Sequence, residues 1–346
     1  MRIVNSIEGD YIETKKDNLI FDVKGLLHPK DYIICFLRFY PHPEGERIKN
    51  GIKFKKIYKL NERYDLLRKN YPKYLLFSKE LDLEIQGVKN YDIKKIYKPK
   101  IFFNDLLEKN QLSSVEDCAK KLCELFINEG NLSKNSIGIT GSLMAGLNTD
   151  DSDIDLIIYG TEASMKFQEK LVNIFEKPNN CRKYTMNEYR SHYQWRVGGS
   201  DILFEDFLKT EQRKQHQGKF MNRDFFIRYI KSPKDWKGNF YDYQFTNYGR
   251  IRLKATILNS KDSIFTPCTY KIKSFKVLER SIKSKKVNLQ NINEICSFRG
   301  RFCEQAKDGE IVLVEGKLEK VNFQNTGEYF RILLTNQIKD KLLIIN

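Results

Sequence analysis

Residues 141–155 read Gly-Ser-Leu-Met-Ala-Gly-Leu-Asn-Thr-Asp-Asp-Ser-Asp-Ile-Asp. Asp153 and Asp155 stand two residues apart and run into an apolar stretch, Leu156-Ile-Ile-Tyr159. On a strand, residues i and i+2 share a face, so the two carboxylates point the same way. Side by side they repel unless a cation lies between them. A hard divalent ion such as Mg²⁺ takes oxygen ligands of this kind together with phosphate oxygens. Gly141-Ser142 precedes the pair by a ten-residue spacer and follows a second apolar run, Ile137-Gly-Ile-Thr140. A glycine-serine turn at that point offers a backbone cradle for phosphates.

The elements around these residues read as a strand over 136–140, a short helix over 142–147, a strand over 153–159 and a helix over 162–176. A helix over 114–129 leads in, with Ser113 and Glu116 as a capping box and Gly130 as its stop. Gln194-Trp-Arg-Val197 and Asp201-Ile-Leu-Phe204 read as two strands joined by Gly198-Gly199-Ser200, a hairpin that would extend the same sheet. Residues 205–240 read as polar, basic and partly helical, with Asp224-Phe-Phe-Ile-Arg-Tyr-Ile230 as one helical stretch.

The flanks differ. Residues 1–106 read as a mixed α/β domain, with strands at 18–24, 32–40 and 52–58 and a short helix at 61–70. Residues 107–240 form the central domain. Residues 241–346 read as β-rich, with strand candidates at 250–257, 269–277, 294–299, 311–321 and 329–334. Strands of this number and spacing fit a small barrel, with an OB-like one as the candidate. The fold class expected is therefore α+β.

Composition narrows the partners. With 346 residues, 40% of them hydrophobic and 31% charged, the chain is long enough for two or three folded domains. No stretch reaches the apolar length of a membrane span, and the N-terminus lacks the apolar core of a secretory signal. The seven cysteines are scattered without a Cys-x-x-Cys pair, the pattern of reduced thiols in a cytoplasm. The four histidines (His28, His42, His192, His216) lack zinc-site spacing. The net charge of +16 favours a polyanion, nucleic acid first, although a lysine-rich compositional bias gives the same excess. Phe298-Arg-Gly-Arg-Phe302 interleaves aromatics with arginines, a composition that stacks on bases and pairs with phosphates and that also suits a barrel core.

Residues 137–155 resemble the nucleotidyltransferase superfamily typified by DNA polymerase β. Its signature is Gly-Ser, a spacer of about ten residues and an acid-x-acid pair, here Gly141-Ser142 and Asp153-Ile-Asp155, with Gly146 at the spacer glycine and Ser152 before the first acid. The whole chain is also similar to a group of archaeal proteins of about this length that carry such a domain. The resemblance implies a polymerase-β-like domain and transfer of a nucleoside monophosphate from an NTP, ATP among them, to an acceptor hydroxyl, releasing pyrophosphate. It implies that Asp153 and Asp155 bind two Mg²⁺ ions, with Mn²⁺ as the alternative, and that Gly141, Ser142 and Ser152 line the nucleotide. It calls for a third carboxylate on a neighbouring strand. Asp201, 46 residues after Asp155, is the candidate, with Glu205 in reserve. Many members carry a basic residue where this chain has Ala145, so another cation is needed, with Arg196 and Lys170 as guesses. The basic flanks favour an RNA or DNA acceptor. A protein or small-molecule acceptor, and a nucleic-acid-binding protein whose transferase domain does not turn over, are the alternatives.

Overall fold

The computed structural model describes residues 5–285, 289, 292–324 and 327–345, so the first four residues of the N-terminal stretch lie outside it. The chain divides into two units. One joins Met1–Ser78, Leu83–Arg182 and Gln217–Phe240; the other joins Lys79–Asp82, Lys183–His216 and Tyr241–Asn346. The boundary expected near 106 falls inside the first unit, and the one near 240 falls at a junction. The fold is mixed α+β, with three sheets among the described residues. None of the described helices is long and apolar enough to cross a membrane. All seven cysteines are free and buried.

The first unit opens with an antiparallel sheet of β1 (Tyr11–Thr14), β2 (Ile20–Val23), β3 (Tyr32–Pro41), β4 (Arg47–Lys49), β5 (Ile52–Lys56), β6 (Leu75–Ser78), β7 (Leu83–Lys89) and β8 (Ile93–Tyr97). Its main path runs β4-β5-β3-β2-β1-β8, and β7 pairs with both β3 and β6. Helix α1 (Leu60–Asn70) inserts Leu67 into the core beneath β2 and β3.

Helices α2 (Pro99–Glu108) and α3 (Ser114–Asn128) lead to the central sheet. The expected capping box starts α3: Ser113 Oγ accepts from the Glu116 amide at 3.3 Å, and Glu116 Oε2 accepts from the Ser113 amide at 2.9 Å. There follow β9 (Ile137–Thr140), α4 (Gly141–Ala145), β10 (Ile154–Tyr159), α5 (Thr161–Glu176), β11 (Cys181–Arg182), β12 (Gln217–Phe220) and β13 (Arg223–Ile230), in sheet order β11-β12-β13-β10-β9. Strand β9 is antiparallel to β10, and β13 is parallel to it.

Two local expectations are corrected. Residues 224–230 are strand, not helix. Phe225, Ile227 and Tyr229 are all buried at a period of two, and Phe225 packs edge-on to Phe126. Burying each such side chain is worth about 2 kcal/mol, whereas helix propensities differ by only tenths of a kcal/mol per residue. Residues 194–197 and 201–204 do not form a hairpin. They lie in α6 (Met186–Val197), in a loop and at the start of α7 (Phe204–Glu211), all within the second unit. Thr185 and Glu188 cap α6, and Tyr189, Tyr193 and Val197 recur every four residues, a helical stripe. Val197 then packs with Ile202 and Phe207.

The rest of the second unit is the expected barrel. It comprises β14 (Tyr243–Asn259), β15 (Cys268–Arg280), β16 (Ile292–Ser297), β17 (Ile311–Phe323), β18 (Gly327–Leu334) and β19 (Lys341–Ile344). The order β14-β15-β16-β18-β17 closes on itself through β14–β17 pairing, with β16 and β18 parallel. Leu253, Tyr270, Ile295, Val314, Leu318 and Ile332 fill the interior.

In the first unit the N-terminal segment is locked to the central sheet. Gly9, at φ +92°, lies so close to β10 that a Cβ there would meet Ile157 Cδ1 at 2.6 Å, and its carbonyl accepts from Thr140 Oγ1 at 2.5 Å. Glu8, fully buried, accepts from Arg228 Nη1 at 2.6 Å, the Gly25 amide at 2.7 Å and Lys24 Nζ at 3.1 Å. Glu8→Gln removes the carboxylate charge held by Arg228 and Lys24, of which Lys24 keeps Asp22 at 2.8 Å, and is expected to destabilise this unit by about 3 kcal/mol. Glu162→Gln, at an exposed pair with Lys166, should leave stability unchanged. Urea unfolding followed by Trp236 fluorescence in a Trp195→Phe background measures both; equal midpoints would contradict the assignment.

Candidate active site

Asp155 lies on β10, paired across the ladder with Thr140, the last residue of β9. The chain then turns at Gly141, whose φ of +76° favours glycine. A Cβ on Gly141 would sit 2.3 Å from Asp155 Oδ2. Glycine is therefore required twice, by the turn and by the carboxylate pressed against it. Asp153 precedes β10 on the exposed rim, and the strand period turns it to the same side as Asp155. Among the described residues, neither carboxylate has a hydrogen-bond or ion-pair partner. Burial, then the charge of Asp153, raises the Asp155 pKa to about 6.

Ser142 is 4% exposed, and its Oγ has no hydrogen-bond partner among the described residues. A buried hydroxyl left unsatisfied costs about 1–3 kcal/mol, so its place next in the chain to Gly141, which lies against Asp155, is informative. Ser152 differs. Its hydroxyl accepts from the Thr149 amide at 2.8 Å and shapes the spacer loop. Arg223 fastens that loop by donating to the carbonyls of Asp150 and of Ser152, the latter at 3.1 Å.

The N-terminal sheet supplies what α4 lacks. Met144, Ala145 and Leu147 are buried against Tyr11, Phe39, Phe54 and Tyr97. Lys49 Nζ donates to the Ala145 carbonyl at 2.6 Å, and Arg47 donates to the Leu147 carbonyl. Ala145 is thus a packing residue. The cations that act on the two acids are Lys56 of β5, Arg38 of β3 and Arg228 of β13. Burial, then Arg38, lowers the Lys56 pKa to about 8. Burial opposes the Arg38 charge, but Tyr11, Asp22, Asp155 and Asp153 together outweigh it and raise its pKa. Sequence reasoning guessed Arg196 and Lys170 for this role. Only a fold could bring residues 38 and 56 to residue 155.

The third carboxylate needs revision. Asp201 begins no strand. It lies between α6 and α7 in the second unit, largely exposed, and bonds to Lys341 Nζ at 2.5 Å. Glu205 is in the first turn of α7. The strands flanking β10 are β9 and β13, and neither residue is on them. The register Ile154↔Phe225 instead puts Asp224 beside Asp153, on the same sheet face. Asp224 bonds to Lys219 at 3.2 Å. Asp22 of β2 is a further acid in the region. Burial opposes its charge, yet Lys24 and Arg228 outweigh this and lower its pKa, and its Oδ1 has no hydrogen-bond partner among the described residues. A carboxylate inside an otherwise apolar strand was the available signal for it. Among the described residues, no group of three His, Cys, Asp or Glu side chains is gathered as a metal site.

Over 334 aligned residues the chain is 28% identical to the uncharacterized protein MJ1086 of the archaeon Methanocaldococcus jannaschii, and the match covers 94% of each chain. No family model matches the chain, and no solved structure matches it significantly.

The Asp155 carboxyl binds its proton more tightly folded than unfolded, so it contributes stability at low pH that is lost as pH rises from about 4 to about 6. Asp153→Asn removes the second cause of the shift. Carboxyl ¹³C titration in chelator should place Asp155 near 6 in the natural protein and lower in the variant; an unmoved titration would contradict the coupling.

Proposed function

We propose that the first unit is a metal-dependent, polymerase-β-like nucleotidyltransferase acting on an RNA or DNA hydroxyl. The observation that carries this reading is the pair of carboxylates, Asp153 and Asp155, unpartnered among the described residues, with Asp155 pressed against Gly141 and the unsatisfied Ser142 hydroxyl next in the chain. The order β9, α4, β10, with β13 parallel to β10, also supports it.

The residues fit a divalent cation. Mg²⁺ characteristically takes one or two carboxylates, with substrate phosphates completing its shell. Asp153 and Asp155 would hold it, and when bound it stabilises the attacking and leaving oxygens of an in-line displacement. The chain's own groups do the remaining work. Gly141 lets the Asp155 carboxylate lie against the turn, and Ser142 Oγ donates to one of the triphosphate oxygens. Lys56 and Arg38 offset the triphosphate charge. The acceptor hydroxyl oxygen bonds to the α-phosphorus as the bond from that phosphorus to the bridging oxygen breaks. Pyrophosphate departs, and the hydroxyl proton passes to a carboxylate, a role assigned here to Asp224. The Greek-key barrel of the second unit resembles OB folds, which bind single strands, and the net charge of +16 supports a polyanionic acceptor.

The absence of a gathered acid trio among the described residues favours one rival, a binding protein without turnover. Incubating the protein with α-labelled NTPs, Mg²⁺ and RNA or DNA ends separates the two. Label transfer should be abolished by EDTA and fall at least 100-fold in Asp153→Asn and Asp155→Asn. Asp224→Asn should lower it about 10-fold or more, and Asp201→Asn should leave it within about threefold. Absence of metal-dependent transfer to any nucleic acid, protein or small-molecule acceptor would overturn the enzymatic reading.

A further inference from the structure

Asp155, Ile157 and Tyr159 share one face of β10, because successive residues of a strand alternate. The acid occupies one end of that face. Tyr159 lies at the other end, about 13 Å further along the strand. Beside it opens a cavity of about 520 Å³, within the range of about 300–1,000 Å³ that small-molecule sites occupy. The N-terminal segment separates the two places. Gly9 crosses the face at Ile157, and Ile7 and Asp10, on either side of Gly9 in the chain, line the cavity.

The cavity walls are mainly apolar. Pro99 and Ile101 come from the start of α2, Ile230 from the end of β13, and Pro233 and Trp236 from the segment that follows. The Trp236 indole is fixed in place, donating from Nε1 to the Lys231 carbonyl at 2.9 Å. Ile101 is 59% exposed, an apolar side chain left in water beside an apolar hollow.

The charged groups of the lining differ in how they are met. Lys98 donates to Asp10 and to the Asn5 carbonyl, both at 2.6 Å. Asp10 also accepts from Ser6 Oγ and the Ile7 amide, both at 3.0 Å, so its charge is answered within the wall. With Lys100 and Lys231, three lysines line the cavity against this one aspartate. Lys100 is exposed, and its ammonium lies 4.3 Å from the centre of the Tyr159 ring. Among the described residues that ammonium has neither a hydrogen bond nor an ion pair, and the Tyr159 hydroxyl has no hydrogen-bond partner.

An apolar hollow with an unengaged ammonium and a phenol beside it fits an amphipathic anion. The apolar body gains by leaving water, and the negative group gains a charged partner. A carboxylate presents two oxygens, enough for one ammonium and one hydroxyl. A phosphate ester brings about two charges and three acceptor oxygens, and apolar walls would leave part of these unmatched. A nucleobase would leave its ring polar groups unmatched for the same reason. A neutral apolar molecule would leave Lys100 unused.

We propose that this cavity binds an apolar monocarboxylate, its carboxylate held by Lys100 Nζ and the Tyr159 hydroxyl and its body lying against Trp236, Pro99 and Pro233. Binding needs neither NTP nor metal, and it stands independently of the reading of Asp153 and Asp155.

The test uses the full chain with Trp195→Phe, which leaves Trp236 as the remaining tryptophan of two. Octanoate and 4-phenylbutanoate are titrated separately in EDTA at neutral pH. Trp236 fluorescence should change saturably, and the tighter ligand assigns an aliphatic or an aromatic body. The amide 4-phenylbutanamide has the same body without the charge and should bind at least tenfold more weakly. Lys100→Met keeps the stem and removes the charge. It should weaken carboxylate binding about tenfold and erase the preference over the amide, with circular dichroism confirming its fold. Tyr159→Phe should weaken binding about fivefold. Asp153→Asn should bind as the natural protein does, which separates this site from the transfer chemistry. Absence of a saturable change with both acids, equal binding of the amide, unchanged binding in Lys100→Met, or displacement by inorganic phosphate at equal concentration would overturn the proposal.

Discussion

The contact between Gly141 and Asp155 is the constraint from which the rest of the first unit follows. A side chain at 141 would collide with the carboxylate, and the backbone there already needs the left-handed region. That closeness keeps Asp155 half-buried and, among the described residues, without a partner, with Asp153 two residues away. Such an arrangement is unfavourable by itself: burial and like charge both push the Asp155 proton on. The fold tolerates it because rigid neighbours hold it. Strands β9 and β13 clamp β10 on both sides, and Gly9 packs against Ile157.

The N-terminal sheet is part of the same site. Its strands bury α4, hold the carbonyls at residues 145 and 147, and send Arg38 and Lys56 towards the acids. Arg228 faces the acids as well but is balanced by fully buried Glu8. Lys56 has no carboxylate within ion-pair distance among the described residues, and that leaves its charge available for phosphates in the proposed reaction.

Much of this arrangement was legible in the chain. The glycine-serine turn, the spacer and the acid pair fell where a strand, a short helix and a second strand were expected, and the capping box marked α3. The barrel strands announced themselves by alternation and by glycine spacing. Other features were hidden for physical reasons. The 201–204 segment looks like a strand because Ile202, Leu203 and Phe204 are adjacent apolar residues, but Ile202 and Phe204 pack in a cluster with Val197 and Phe207 while Leu203 is exposed. Strand β13 was obscured by Asp224 and Arg228 on its second face, although Phe225, Ile227 and Tyr229 alternate cleanly on the other. The cations of the site lie about a hundred residues from the acids in sequence, and no local pattern links them.

The central claim is that Asp153 and Asp155 together hold a divalent cation that a bound nucleotide completes. Electron paramagnetic resonance of Mn²⁺ titrated into the protein, with and without a non-hydrolysable NTP analogue, tests it most directly. The account predicts weak binding by protein alone, at least tenfold tighter binding of metal when the analogue is present, and loss of that gain in both Asp153→Asn and Asp155→Asn. Mn²⁺ binding that ignores the analogue, or that persists unchanged in either variant, would contradict it.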